Sequence, residues 1–210
     1  AIPQGTRGDP AVAIILGVKQ PIREGTERTV RVDLQVSAFG VEGKPFGSQR
    51  LLANVTLRPG SGGLAEYEVL SQMRLRPGRY QLRLAASVGS LATSGSVYCD
   101  VDVPDVSKAA VSLTGLMFHA APGLTIAPAD ALKSLVPFAP TASRRFARSS
   151  RVTAFTRAFQ GGKAPMRTLP VRVRVTNEAG VIVSDRQQEL PADRFIAATR
   201  SIDIVFDLPM

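Results

Sequence analysis

The stretch Leu75-Arg76-Pro77-Gly78-Arg79-Tyr80-Gln81-Leu82-Arg83-Leu84-Ala85-Ala86 decides the fold class. Pro77 presets φ for the second position of a turn, and Gly78 makes a positive φ available at the next. Beyond the turn, Tyr80, Leu82, Leu84 and Ala86 fall on one face. Gln81, Arg83, Ala85 and Ser87 fall on the other, the period-two pattern of a half-buried strand.

Outward from this stretch the first half reads as strands and turns. Val12 to Lys19 is apolar enough for a buried strand. Val30, Val32, Leu34, Val36 and Ala38 alternate with Arg31, Asp33, Gln35 and Ser37, a strand with one wet face. Gly40 to Gly47 predicts a hairpin-like connection, Leu51 to Leu57 a third strand, and Pro59 to Gly63 a break. Leu64 to Met73 is a fourth strand, and Gly95 to Val103 the last before Pro104. A Tyr directly after a Pro-Gly turn, at the start of a late strand, fits the tyrosine corner of sandwich folds. There the ring packs in the core and the hydroxyl bonds back to the upstream backbone. With 210 residues, two domains of about 100 residues each fit the size prior. The predicted fold is all-β: two tandem immunoglobulin/fibronectin III-like sandwiches, residues 1–105 and 106–210.

The second half is less regular. Val111 to His119 predicts its opening strand. Residues 120–143, rich in Ala and Pro, form a stretch too long for an ordinary connection. Two readings stand for it: a short helix near Asp130 to Val136, ended by Pro137, or a docking loop exposing Leu135, Val136 and Phe138. Val171 to Thr176 and Val181 to Ser184, joined by Asn177-Glu178-Ala179-Gly180, predict a hairpin. Ile202, Ile204, Phe206 and Leu208 alternate in the last strand. By comparison with the first half, 202–208 stands where 64–73 leads into the Pro-Gly-x-Tyr turn and two more strands. The second sandwich is therefore expected to lack its last strands. They would follow in a longer chain, have been removed, or come from another chain by β-augmentation.

Charge is uneven. The net charge is +9, with 21 Arg against 5 Lys. Residues 1–105 carry 12 basic and 10 acidic side chains, and residues 106–210 carry 14 and 7. No Asp or Glu lies between Leu132 and Asn177. Arg144, Arg145, Arg148, Arg151 and Arg157, interleaved with Phe146, Phe155 and Phe159, open a basic band over 144–174. Lys163, Arg167, Arg172 and Arg174 extend it. Such a band fits a solvated strand face over a Phe core. It also fits a surface for an acidic protein, anionic polysaccharide or lipid head groups, or, least favoured, nucleic acid.

Little in the chain points to catalysis. There is one His, His119, and one Cys, Cys99, which predicts a small buried hydrophobe on the face of Val97, Val101 and Val103. Asp100 and Asp102 share a strand face and read as solvated, or at most a weak cation site. Gly-x-Ser-x-Gly, metal-ligand spacing and a phosphate-binding loop are all missing. Arg7-Gly8-Asp9 spells an adhesion tripeptide, a match that chance supplies easily. No apolar run is long enough to span a membrane.

Arg76-Pro77-Gly78-Arg79-Tyr80 through Ala86, the run Ser94-Gly95-Ser96-Val97-Tyr98-Cys99-Asp100-Val101-Asp102-Val103-Pro104-Asp105, and Ser112-Leu113-Thr114-Gly115-Leu116 together carry a resemblance. They resemble the C-terminal region of acidobacterial von Willebrand factor A-related proteins. The likeness is densest at 75–118, 144–160 and 171–183. It implies trailing β-sandwich modules of envelope or secreted proteins, a periplasmic, cell-surface or secreted location, and a continuation beyond this chain. A von Willebrand A domain holds its cation with Asp-x-Ser-x-Ser, which this chain lacks, so no site residue is carried over. Cys99 departs from the aromatic or aliphatic residue expected there.

The expected role is a non-catalytic structural or interaction module, with no cofactor and no metal. A protein partner or larger envelope assembly would contact Arg144, Arg145, Arg148, Arg151, Leu135, Val136 and Phe138. Pro77, Gly78 and Tyr80 are expected to be structural. The alternative is a binder of anionic polymer through the basic band.

Overall fold

The computed structural model describes residues 10–22, 27–58, 60 and 63–209, and they form an all-β molecule with no α-helix among them. Arg7-Gly8-Asp9 lies outside the described residues. Six strands fill the first half: β1 (Ala11–Pro21), β2 (Arg28–Gly40), β3 (Pro45–Leu57), β4 (Leu64–Arg74), β5 (Gly78–Val88) and β6 (Thr93–Val103). β1 pairs antiparallel with β4, and the facing sheet has the order β3-β2-β5-β6, also antiparallel.

The alternation read from sequence sets the core between these sheets. Val30, Val32, Leu34 and Val36 of β2 are 0–3% exposed. They pack with Val12 and Ile14 of β1, Tyr67 and Val69 of β4, and Tyr80, Leu82 and Leu84 of β5. Each such aliphatic burial contributes roughly 1.5–3 kcal/mol. The Tyr80 ring is buried, and its hydroxyl donates to the Arg76 carbonyl at 3.0 Å. Gly78 has φ 156°, and a Cβ there would stand 3.5 Å from the Tyr80 ring and hydroxyl.

One expectation fails at the sheet edge. Cys99 is exposed, as is Val97, because β6 is the edge strand and an open cleft lies between its Ser94–Val97 stretch and β1.

The second half supplies β7 (Ser112–Leu113), β8 (Met117–Ala121), β9 (Thr125–Ala127), β10 (Arg151–Phe159), β11 (Leu169–Thr176), β12 (Ile182–Leu190) and β13 (Ser201–Asp207). β10 is flanked by β13 on one side and by β7 and β8 on the other, while β11 and β12 form a separate antiparallel pair. The single strand expected over 111–119 is broken in two, because Thr114–Leu116 bulge opposite Thr156 and Arg157. The Thr156 hydroxyl donates to the Thr114 carbonyl at 2.9 Å, and the Arg157 N–H donates to the Thr114 hydroxyl at 3.0 Å, so Thr114 ties the bulge to β10. The two-stranded sheet packs on the larger one through Leu169, Leu190, Ala158, Ile202 and Ile204.

Residues 120–143 are neither a helix nor an exposed loop. β9 adds in parallel to β4, so a first-half sheet takes a strand from the second half. Turns follow, with Val136 N–H donating to the Leu132 carbonyl at 3.0 Å. Leu135 and Val136 are buried, 1% and 3% exposed, and Phe138 is half-buried. With Leu132 they cluster against Ala11, Leu70 and Phe155. The physical cause lies in the β1-β4 sheet, whose outer face carries Ala11, Ala13, Ile15 and Leu70. That apolar face needs cover, and the connector supplies it while also meeting Phe155 of β10.

A buried carboxylate fixes the connector. Glu68 of β4 is 1% exposed and accepts from the Thr141 hydroxyl at 2.7 Å and the Ala142 N–H at 2.6 Å. Its other oxygen has no protein partner.

Candidate interaction surface

The basic band resolves into two kinds of arginine. Arg157 pairs with Asp203, its cross-strand neighbour on β13. Arg172 and Arg174 share Asp185: Arg172 donates to it at 2.6 and 2.8 Å, and Arg174 at 3.2 Å. The two guanidiniums hold the Asp185 carboxyl down to about 2, with the Arg172 hydrogen bond the largest cause. Arg144, Arg145, Arg148 and Arg151 are exposed on the segment entering β10. Arg144 lies 5.0 Å over the Phe118 ring and donates to the carbonyls of Thr141, Ala142 and Ser143. Arg145, Arg148 and Arg151 have no carboxylate partner among the described residues. Leu135 and Val136 do not join them, being consumed in the core.

The other candidate surface is the side of β11 away from β12. The antiparallel pair β10–β13 corresponds to β1–β4, and the hairpin β11–β12 corresponds to β2–β3. β2 then pairs on its far side with β5, whereas no described strand pairs with the far side of β11. The consequence is visible in burial. The inner residues of β2 are closed from solvent, but Val171, Val173 and Val175, in the same alternation on β11, are only half-buried. Val181, Ile182 and Val183 of the hairpin are exposed. Between β12 and β13 a cleft of about 570 Å³ opens, lined by Val173, Arg186, Gln188, Phe206 and Asp207 among others. On β3 the residues facing the core are Ala53, Val55 and Leu57; on β12 the positions facing Val175, Val173 and Val171 are Ser184, Arg186 and Gln188.

The remaining reactive groups are occupied or isolated. His119 Nδ1 lies 3.0 Å from the Ala139 carbonyl, and the ring stacks obliquely on Phe138 at 5.3 Å, so the imidazole ties β8 to the connector. Desolvation and the neighbouring Asp100 raise the Cys99 thiol above its ordinary value, which disfavours the thiolate. Asp102 faces Arg79 at 3.8 Å. Among the described residues no three His, Cys, Asp or Glu side chains gather as a metal site. No described helix is long and apolar enough to cross a membrane.

No protein-family model, curated protein or solved structure matches the chain. The geometry of its surfaces is therefore what bears on function.

Proposed function

We propose that the chain is a non-catalytic structural and interaction module of a bacterial envelope or secreted protein, and that it mediates assembly or adhesion through protein contacts. Its two halves are read as tandem immunoglobulin/fibronectin III-like sandwiches, 1–105 and 106–210, joined by the buried connector. The location is read as periplasmic, cell-surface or secreted, in keeping with the likeness to von Willebrand factor A-related proteins.

The observation that carries this reading is the contrast between β2 and β11. The same Val-x-Val-x-Val alternation is closed in one sandwich and left half-open in the other. An apolar ladder beside an unpaired strand edge is costly in water and invites a partner. The test is capture from an envelope fraction of a bacterial source with the whole chain and with Val173→Glu. Partners retained by the first and lost by the second support the module. Identical capture by both contradicts it.

A specific observation favours one second reading. Arg145, Arg148 and Arg151 are exposed with no carboxylate among the described residues to neutralise them. That suits an anionic polymer, such as polysaccharide or lipid head groups, more than nucleic acid. Retention of the chain on a polyanion column that falls with added salt, and falls further for the Arg→Glu variants at these positions, supports it.

A further inference from the structure

We propose that the edge of β11 left unpaired among the described residues is an acceptor for one extended polypeptide segment that alternates apolar and acidic side chains. This rests on the reading of the chain as an interaction module and specifies the partner. The added strand takes the place beside β11 that β5 takes beside β2.

The first sandwich supplies the template. Across the β2–β5 ladder, Val36 faces Leu84, Ala38 faces Leu82 and Gly40 faces Tyr80. A strand beside β11 would set apolar residues against Val171, Val173 and Val175 in the same way, completing their burial. The inner face of the opposing sheet is also thinly covered there. Phe118, Ala154 and Phe206 share that face by register, and Phe118 and Phe206 are half-buried. Phe118 is covered by Phe146, edge-on at 6.3 Å, and by the Arg144 guanidinium, rather than by a second sheet.

The outer face decides the charge of the partner. Arg172 and Arg174 stand on the outer side of β11, nearest the open edge, while the carboxylates of that face, Asp185 and Glu189, stand on β12, the strand away from it. The row that an incoming strand would meet first is therefore wholly basic. Directly opposite and diagonal pairs across a ladder couple favourably when their charges are opposite. An incoming strand with Asp or Glu on its outer face therefore fits, while a second copy of β11 centred on Val173 would set Arg172 against Arg174. That repulsion argues for a different acidic segment over self-pairing.

The test uses the whole chain and a synthetic peptide of the β5 sequence, Gly78–Val88, carrying Arg79→Glu and Arg83→Glu. The expected result is saturable binding with slowed amide exchange at Val171–Val175. Val173→Glu should abolish it. The unmodified, basic β5 peptide should bind about tenfold more weakly, the scale of two reversed cross-strand pairs. A hairpin-inverted chain, with Arg172→Glu, Arg174→Glu, Asp185→Arg and Glu189→Arg, keeps its internal pairing and should prefer the basic peptide. No binding by either peptide, or slowed exchange at β6 or β13 instead of β11, overturns the proposal. Capture of envelope partners that is still lost in Val173→Glu after such a result would leave the broader module reading standing. Equal binding of both peptides to both chains overturns the choice of an acidic partner.

Discussion

Thr141 and Glu68, 73 residues apart, meet in a buried hydrogen bond of 2.7 Å that clasps the second half of the chain to a first-half sheet. With the Ala142 N–H on the same oxygen, Glu68 is the polar anchor of a connector that is otherwise apolar. Removing the hydroxyl leaves a buried carboxylate with one bond fewer. Thr141→Val should cost about 1–3 kcal/mol in chemical unfolding. An unchanged midpoint would show that the clasp is not formed in solution.

Leu135 distinguishes a packed connector from a docking loop. Leu135→Ala should destabilise the chain by about 2–5 kcal/mol, the range for a buried leucine. Because Leu135 packs with Ala11, Leu70 and Phe155 from both halves, the loss should appear in a single cooperative transition. A neutral substitution would return 120–143 to the surface.

Tyr80 gives a test of the turn that decides the fold class. Tyr80→Phe removes only the hydroxyl that donates to Arg76, and should cost about 1 kcal/mol. No change in thermal melting would mean that the bond is not made or that water replaces it without loss.

Asp185 predicts a pH signature. Its carboxyl is held to about 2 in the folded chain, against an ordinary value of 3.8. A lowered folded value stabilises the fold fully above 3.8, and that contribution is lost as pH falls from there through about 2. Carboxyl NMR should place the Asp185 midpoint near the lower figure, rising toward the ordinary range in Arg172→Ala and with added salt. A midpoint already at the ordinary value would contradict the shared arginine pair.

Much of the fold is legible where one face of a strand is wet. β2, β5 and β13 announce themselves by alternation, and the Pro77-Gly78 turn with Tyr80 fixes the crossing between β4 and β5. Legibility fails where strands or connectors are covered on both sides. β10 is buried on both faces, so Val152-Thr153-Ala154-Phe155 shows no period, and a basic band stands out in place of the central strand. Leu135 and Val136 look like an exposed apolar loop because their cover, the outer face of β1 and β4, is more than 60 residues away in the chain. The half-open ladder on β11 is not signalled at all: Val171, Val173 and Val175 alternate with Arg172 and Arg174 just as Val30, Val32 and Leu34 alternate with Arg31 and Asp33. The arginines that Asp185 and Asp203 neutralise are indistinguishable in sequence from those left free.

The most direct measurement is amide hydrogen exchange on the whole chain, comparing β2 with β11. Val30–Val36 should exchange slowly throughout, while alternate amides of Val171–Val175, those facing away from β12, should exchange rapidly and slow on addition of the acidic β5-derived peptide. Equal and complete protection of both strands in the free chain would contradict an open edge at β11, and with it the assignment of that edge as the place where a partner docks.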